Sequence, residues 1–163
     1  MLGVRPSDEA KEMEKPAALT DVTSSIEFGD DVPPEATLPT RDFLIRRGGK
    51  IYAGVHLLID FWGAINLGDI SFVENTLRDA AEAANATVLY IHVHEFGGSG
   101  GLSGVTILAE SHITIHTWPE LDYAAFDVFM CGKCRPENAL YLLEERFKPS
   151  KKTVTKSRRG LVG

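Results

Sequence analysis

The sequence predicts an α+β fold, a two-layer sandwich in which a mostly antiparallel sheet is covered on one face by two helices. Three observations predict it. Apolar alternation with period two recurs in separate segments from residue 51 to residue 130. Two stretches of the domain, after Ser71 and after Pro136, instead carry apolar residues at helical spacing. Between them the strands follow one another with no helix intervening, which antiparallel pairs allow and parallel crossovers do not.

Residues 1–48 read as a disordered or loosely attached extension. Pro6, Pro16, Pro33, Pro34 and Pro39 fall there among acidic and small residues, with no apolar periodicity. Such a segment cannot bury enough apolar surface to offset its ordering entropy. A short helix over Ser7–Lys15 is its one regular element, and a partner-docking arm is the functional alternative. The domain proper spans residues 49–163.

In the first strand Ile51, Ala53, Val55, Leu57, Ile59 and Phe61 alternate with Tyr52, His56 and Asp60. Gly63 and Gly68 break it. Ser71-Phe-Val-Glu74 has the spacing of a capping box, and Val73, Leu77, Ala80, Ala81 and Ala84 form the buried stripe of the helix that follows, up to Asn85. In the strand Thr87–Glu95, Leu89, Ile91 and Val93 point one way, with Tyr90, His92 and His94 opposite. A glycine-rich loop, 97–101, leads into extended segments 103–110 and 111–117, and Tyr123–Met130 forms another strand. Pro136 opens the second helix, Ala139, Leu140, Leu143 and Phe147 face its core, and Pro149 ends it. A short last strand over Thr153–Thr155 precedes a basic tail.

A length of 163 residues suits one folded domain, and 44% hydrophobic with 25% charged residues is ordinary for a globular protein. The net charge of −6 argues against nucleic-acid binding. Two cysteines, Cys131 and Cys134, are too few for a secreted disulfide scaffold. No apolar run is long enough to span a membrane, and the charged Met1–Lys15 lacks the apolar core of a signal peptide. A cytoplasmic protein without membrane contact is expected.

The densest polar cluster is Glu110-Ser-His-Ile-Thr-Ile-His-Thr-Trp-Pro-Glu120. Polar groups in a strand interior must find partners, and sequence rules break most often at functional sites. Two chemistries arise from the residues themselves. Ser111 with His116 as base would make a hydrolase, although no Gly-x-Ser-x-Gly elbow surrounds the serine. Alternatively, His112 and His116, or His92 and His94, with Cys131 and Cys134, would make a non-enzymatic metal-binding domain, although no complete four-ligand spacing is present.

The same segment, preceded by Gly101-Leu-Ser-Gly104 and followed by Tyr123-Ala-Ala-Phe-Asp-Val-Phe-Met-Cys-Gly132, closely resembles the prokaryotic S-adenosylmethionine decarboxylase proenzymes. His56-Leu-Leu-Ile-Asp-Phe-Trp62 resembles that family's first strand. The resemblance implies a self-processing, pyruvoyl-dependent decarboxylase. The Ser111 hydroxyl would attack the Glu110 carbonyl, and cleavage of Glu110–Ser111 would leave chains of 110 and 53 residues, the smaller starting with a pyruvoyl group derived from Ser111. This pyruvoyl group is the only cofactor implied, with no metal. It would hold the substrate α-amine as a Schiff base and act as electron sink. Further roles follow from the resemblance: Ser103 in processing, His116 in processing proton transfer, and Cys131 as the proton donor. Glu120 would contact the ribose hydroxyls and Phe96 would stack on adenine. The family's homodimer, with active sites near the subunit contact, is implied too, as is a supply of aminopropyl donor for spermidine synthesis.

The glycine-rich loop 97–101 departs from the family pattern. A relative with the same machinery acting on ornithine or arginine would need a carboxylate for the distal cation, and Asp60 and Glu95 are the candidates. Cys134 carries no family role and is expected to be a solvent-exposed residue at a helix start.

Overall fold

In the computed structural model, residues 43–162 are described, apart from 97 and 99. Lys50–Trp62 (β2), with 13 residues, is the longest strand among the described residues and has neighbours on both sides. It pairs with Tyr123–Cys131 (β6) on one side and Lys151–Leu161 (β7) on the other. From β6 the sheet continues through Ser111–Trp118 (β5) and Gly101–Leu108 (β4) to Val88–Phe96 (β3) at the far edge. Every pairing is antiparallel. The helices are Ile70–Ala83 (α1) and Pro136–Phe147 (α2). The α+β two-layer arrangement expected from the sequence is therefore present.

The period-two patterns sort the sheet into two faces. Leu57, Ile59 and Phe61 of β2, Ile113 and Ile115 of β5, and Phe126, Val128 and Met130 of β6 are all buried. They pack with Val73, Leu77 and Ala80 of α1 and Leu143 and Phe147 of α2 in one core. Ring contacts tie the layers together: Phe61–Phe126 at 5.2 Å, Phe126–Phe147 at 5.3 Å and Phe72–Phe147 at 5.4 Å between centroids. Each such side chain contributes about 1.5–3 kcal/mol when taken fully from water. The alternate residues occupy the opposite face, which no element covers among the described residues. They include His56, Asp127, His112, His116 and Ser103, all half-buried or exposed.

Four local expectations need correction. The sequence boundary at residue 49 falls inside a hairpin. Ile45–Arg47 (β1) pairs with Lys50–Tyr52, so regular structure begins upstream of it, while residues 1–42 of the expected extension lie outside the described residues. The cap of α1 is Asp69, which accepts from Phe72 N at 2.9 Å, so Ser71 lies within the first turn. Both residue types cap well, and the chain leaving Gly68 presents the aspartate first. Leu89 is 63% exposed, because the β3–β4 register shifts between Val88 and Tyr90 and turns it out of the core. Finally, β7 runs over 11 residues rather than three. Its polar side chains hid a strand held by backbone pairing to β2 and by ion pairs of Lys152 with Glu144 and Lys156 with Glu137 on α2.

Candidate active site

Leu108 and Ser111 face each other at the end of the β4–β5 hairpin, so Ala109 and Glu110 form its two-residue turn. The turn is held from two sides, by Cys131 and by Thr87. The Glu110 carbonyl oxygen accepts from the Cys131 backbone N–H at 3.3 Å and from the Cys131 thiol at 2.7 Å. The Glu110 carboxylate accepts from Thr87 N–H at 2.9 Å and from Thr87 Oγ1 at 3.2 Å. The Thr87 carbonyl in turn accepts from Ala109 N–H at 2.9 Å. Ser111 follows with φ at +154°, a conformation that L-residues rarely adopt. Strain of this kind persists only where the surroundings over-determine it. Here the clamped Glu110 and the pairing of Ser111 with both Leu108 and Met130 do so.

A second group lies at the other end of the same strands. Ser103 sits directly opposite His116 in the β4–β5 ladder, and its Oγ is 3.2 Å from His116 Nδ1. Close approach of the strands here depends on Gly104, where a Cβ would meet Ile115 Cγ2 and Val93 Cγ2 at 2.9 Å. Phe96, 37% exposed, pairs with Gly101 at this end, and Glu120 lies in the short 3₁₀ turn Pro119–Leu121 that leaves β5. His116 is five residues beyond Ser111 on an extended strand, about 16 Å away at the usual strand rise. The sequence-predicted residues thus form two groups within one chain: Glu110, Ser111 and Cys131 at one end, and Phe96, Ser103, His116 and Glu120 at the other. A Ser111–His116 hydrolase pair within one chain is excluded by that distance.

Between the two groups the open face carries a polar network that the sequence reading did not single out. Arg159 Nη1 lies 3.3 Å from His56 Nδ1, and His56 Nε2 lies 3.1 Å from Asp127 Oδ1. Donation by Arg159 to Nδ1 leaves the proton on Nε2, facing the carboxylate. His112 is beside this network, and its pKa is lowered by burial first and by His56 second. The alternation of β2, which puts His56 in phase with Asp60, was the available signal.

Other candidates are placed elsewhere. Asp60 accepts from Tyr123 OH at 2.6 Å, and this bond, with burial, pushes the phenol up to about 12. Glu95 is exposed on the edge strand β3. Cys134 is half-buried against the core rather than solvent-exposed, because the turn after β6 folds its thiol toward Asn85 O at 3.5 Å. Burial, with Glu110 and Cys131 nearby, pushes that thiol up to about 11. His92 and His94 stack on β3 with ring centroids 6.4 Å apart. Among the described residues, no three His, Cys, Asp or Glu side chains come together as metal ligands, and no helix is long and apolar enough to cross a membrane.

A serine in a strained hairpin, its preceding carbonyl gripped by a cysteine, thus sits on a two-layer α+β domain. Residues 55–160 fit the family model of S-adenosylmethionine decarboxylase, and the chain belongs to that family. Among its relatives is the S-adenosylmethionine decarboxylase proenzyme of Thermomicrobium roseum, 44% identical over 110 residues, covering 67% of this chain and 95% of the relative. The corresponding proenzyme of Methanococcus maripaludis is 41% identical over 112 residues, covering 67% and 91%. The crystal structure of the adenosylmethionine decarboxylase from Aquifex aeolicus superimposes with a TM-score of 0.60 at 32% identity, covering 68% of this chain and 92% of that one.

Proposed function

We propose that the chain is a cytoplasmic S-adenosylmethionine decarboxylase, made as a proenzyme that cuts itself before Ser111 and works as a homodimer. Its product would be the aminopropyl donor for spermidine synthesis. The observation that carries this reading is the grip of Cys131 on the Glu110 carbonyl, next to Ser111 at φ +154°.

That geometry supports self-cleavage. The Ser111 hydroxyl adds to the Glu110 carbonyl carbon, and negative charge collects on the carbonyl oxygen. The N–H and thiol of Cys131 already point at that atom, so they act as its oxyanion hole. Collapse breaks the Glu110–Ser111 C–N bond and leaves Glu110 esterified to the serine oxygen, with a free amine on residue 111. Relief of the strained φ favours this direction. A base then removes the Ser111 α-proton, Glu110 departs as a carboxylate, and the dehydroalanine left behind tautomerises to an imine that water hydrolyses to a pyruvoyl terminus and ammonia.

His116, hydrogen-bonded to Ser103, suits the role of base. It lies too far along β5 to reach Ser111 of its own chain. The uncovered sheet face offers a solution: two copies packed face to face about a two-fold axis would bring His116 of the partner subunit to Ser111. Phe96 and Glu120 of the partner subunit would come with it. There an aromatic face and a bidentate carboxylate acceptor suit the adenine and ribose of the substrate.

Ser111 as precursor fits a pyruvoyl group, since the terminus it creates lies beside the thiol of Cys131. When formed, that group supplies the electron sink for loss of the substrate carboxylate. Cys131 then holds the proton that the substrate α-carbon must receive, its thiol released from the Glu110 carbonyl once that group is the free C-terminus of the first chain, which stays in the sheet.

Intact-mass spectrometry of freshly purified protein tests the proposal. Two chains meeting at Glu110–Ser111 are expected, and a single chain from Ser111→Ala. Normal cleavage in that variant, or a stable uncut wild type, would refute it. Release of CO2 from S-adenosylmethionine, compared with ornithine and arginine, tests the substrate.

A further inference from the structure

We propose that the cleft between β1 and the turn joining β6 to α2 is a second binding site, which takes a small organic polyphosphate of nucleotide size. The cavity measures about 510 Å³, within the roughly 300–1,000 Å³ of small-molecule sites. Its lining includes the apolar side chains of Ile45, Tyr52, Val55 and Pro136. Among the described residues its charged lining is Arg46, Arg47, Lys133 and Arg135 with the carboxylate of Glu137, in a chain of net −6.

The Glu137 carboxylate is engaged by Lys156 of β7, outside the cleft lining. Burial would raise its pKa, but the Lys156 hydrogen bond and the charges of Lys156 and Arg47 outweigh this and hold it below the ordinary carboxylate value. Among the described residues, neither Lys133 nor Arg135 takes part in an ion pair. Exposed cations around a concave apolar floor suit a ligand with phosphate at one end and an apolar ring at the other. A membrane surface or a nucleic acid would instead meet a broad convex patch.

The site is distinct from the one that cuts the chain. Its β1 wall lies upstream of residue 55, where the family match begins. Its opposite wall starts at Gly132, the residue after Cys131. Gly132 N–H donates to Phe43 O at 2.7 Å, tying that wall to the segment leading into β1. A ligand that draws Lys133 and Arg135 inward therefore pulls on the turn that carries the Cys131 thiol.

Calorimetric titration of the full chain with magnesium-free ATP and with inorganic triphosphate tests the site. Both ligands should bind, ATP the more tightly because its base covers the apolar wall. The double variant Lys133→Gln/Arg135→Gln should weaken both by at least tenfold, as about one charge-assisted hydrogen bond per cation implies. No binding by wild type, or unchanged affinity in the double variant, would overturn the proposal. Equal affinity for ATP and triphosphate would remove the ring-bearing ligand from it. Titrating Ser111→Ala in parallel keeps the result independent of self-cleavage, since that chain has the same cleft and no serine hydroxyl to cut with.

Discussion

Cys131 grips the carbonyl oxygen of Glu110 twice, through its backbone N–H at 3.3 Å and its thiol at 2.7 Å. Under the proposed mechanism one residue would serve two steps in turn, first as oxyanion donor for the cut and then, once the Glu110 carbonyl has moved off, as proton donor to the substrate. Cys131→Ala keeps the N–H and loses the thiol. Self-cleavage should slow by about 10²-fold, at the lower end for loss of an oxyanion donor. Decarboxylation by whatever fraction is cut should fall by about 10²–10⁴. A time course of chain cleavage followed by a CO2-release assay separates the two, and wild-type cleavage in the variant would take the thiol out of the first step.

Thr87 holds the turn from the other side, through both its N–H and its hydroxyl on the Glu110 carboxylate. Thr87→Val removes only the hydroxyl bond. Loss of roughly 1 kcal/mol of positioning would slow cleavage about fivefold. Thr87→Ser should restore the rate. If Val and Ser behave alike, the hydroxyl bond has no part in aligning the cut.

The distance along β5 makes a sharper prediction. Neither Ser111→Ala nor His116→Ala should process efficiently alone. Co-expressed and mixed, they should form heterodimers in which one site combines an intact Ser111 with an intact His116 of the partner subunit. Cleavage should then appear in the His116→Ala chain only, readable by mass. Failure of the mixture to process, with dimers present, would argue that His116 acts within its own chain or not at all.

His112 gives a pH dependence. Its folded pKa is lowered, mainly by burial and next by His56, so below the unfolded value near 6.5 the unfolded chain binds more protons. The stability associated with neutral His112 is fully present above about pH 6.5 and is lost as pH falls through the lower folded value. Denaturation midpoints at pH 7.5 and 5.5 should therefore differ more in wild type than in His112→Gln. Equal differences would mean that another group carries the effect.

Much of the fold was legible because burial leaves a period. Leu57, Ile59 and Phe61 on β2, and Val73, Leu77 and Ala80 on α1, reveal strand and helix from spacing alone. Where burial leaves no period, the chain was silent. β7 is almost wholly exposed, and its pairing is a backbone property that its lysines and arginines do not advertise. Leu89 follows the apolar pattern of its strand, yet a register shift set by β4 turns it outward.

The candidate site divides the same way. The identities of Glu110, Ser111, His116 and Cys131 and their spacing are written in the chain, because reactive groups are rare enough to stand out against a strand background. Which of them meet is a matter of register between distant segments. Antiparallel pairing brings Cys131 onto Glu110 across 21 residues and Thr87 onto it across 23. The same extended backbone holds His116 about 16 Å from the serine only five positions before it. Proximity along a strand is not proximity in space, and only the packed sheet, with one face left open, decided which groups lie within reach of the Glu110–Ser111 bond.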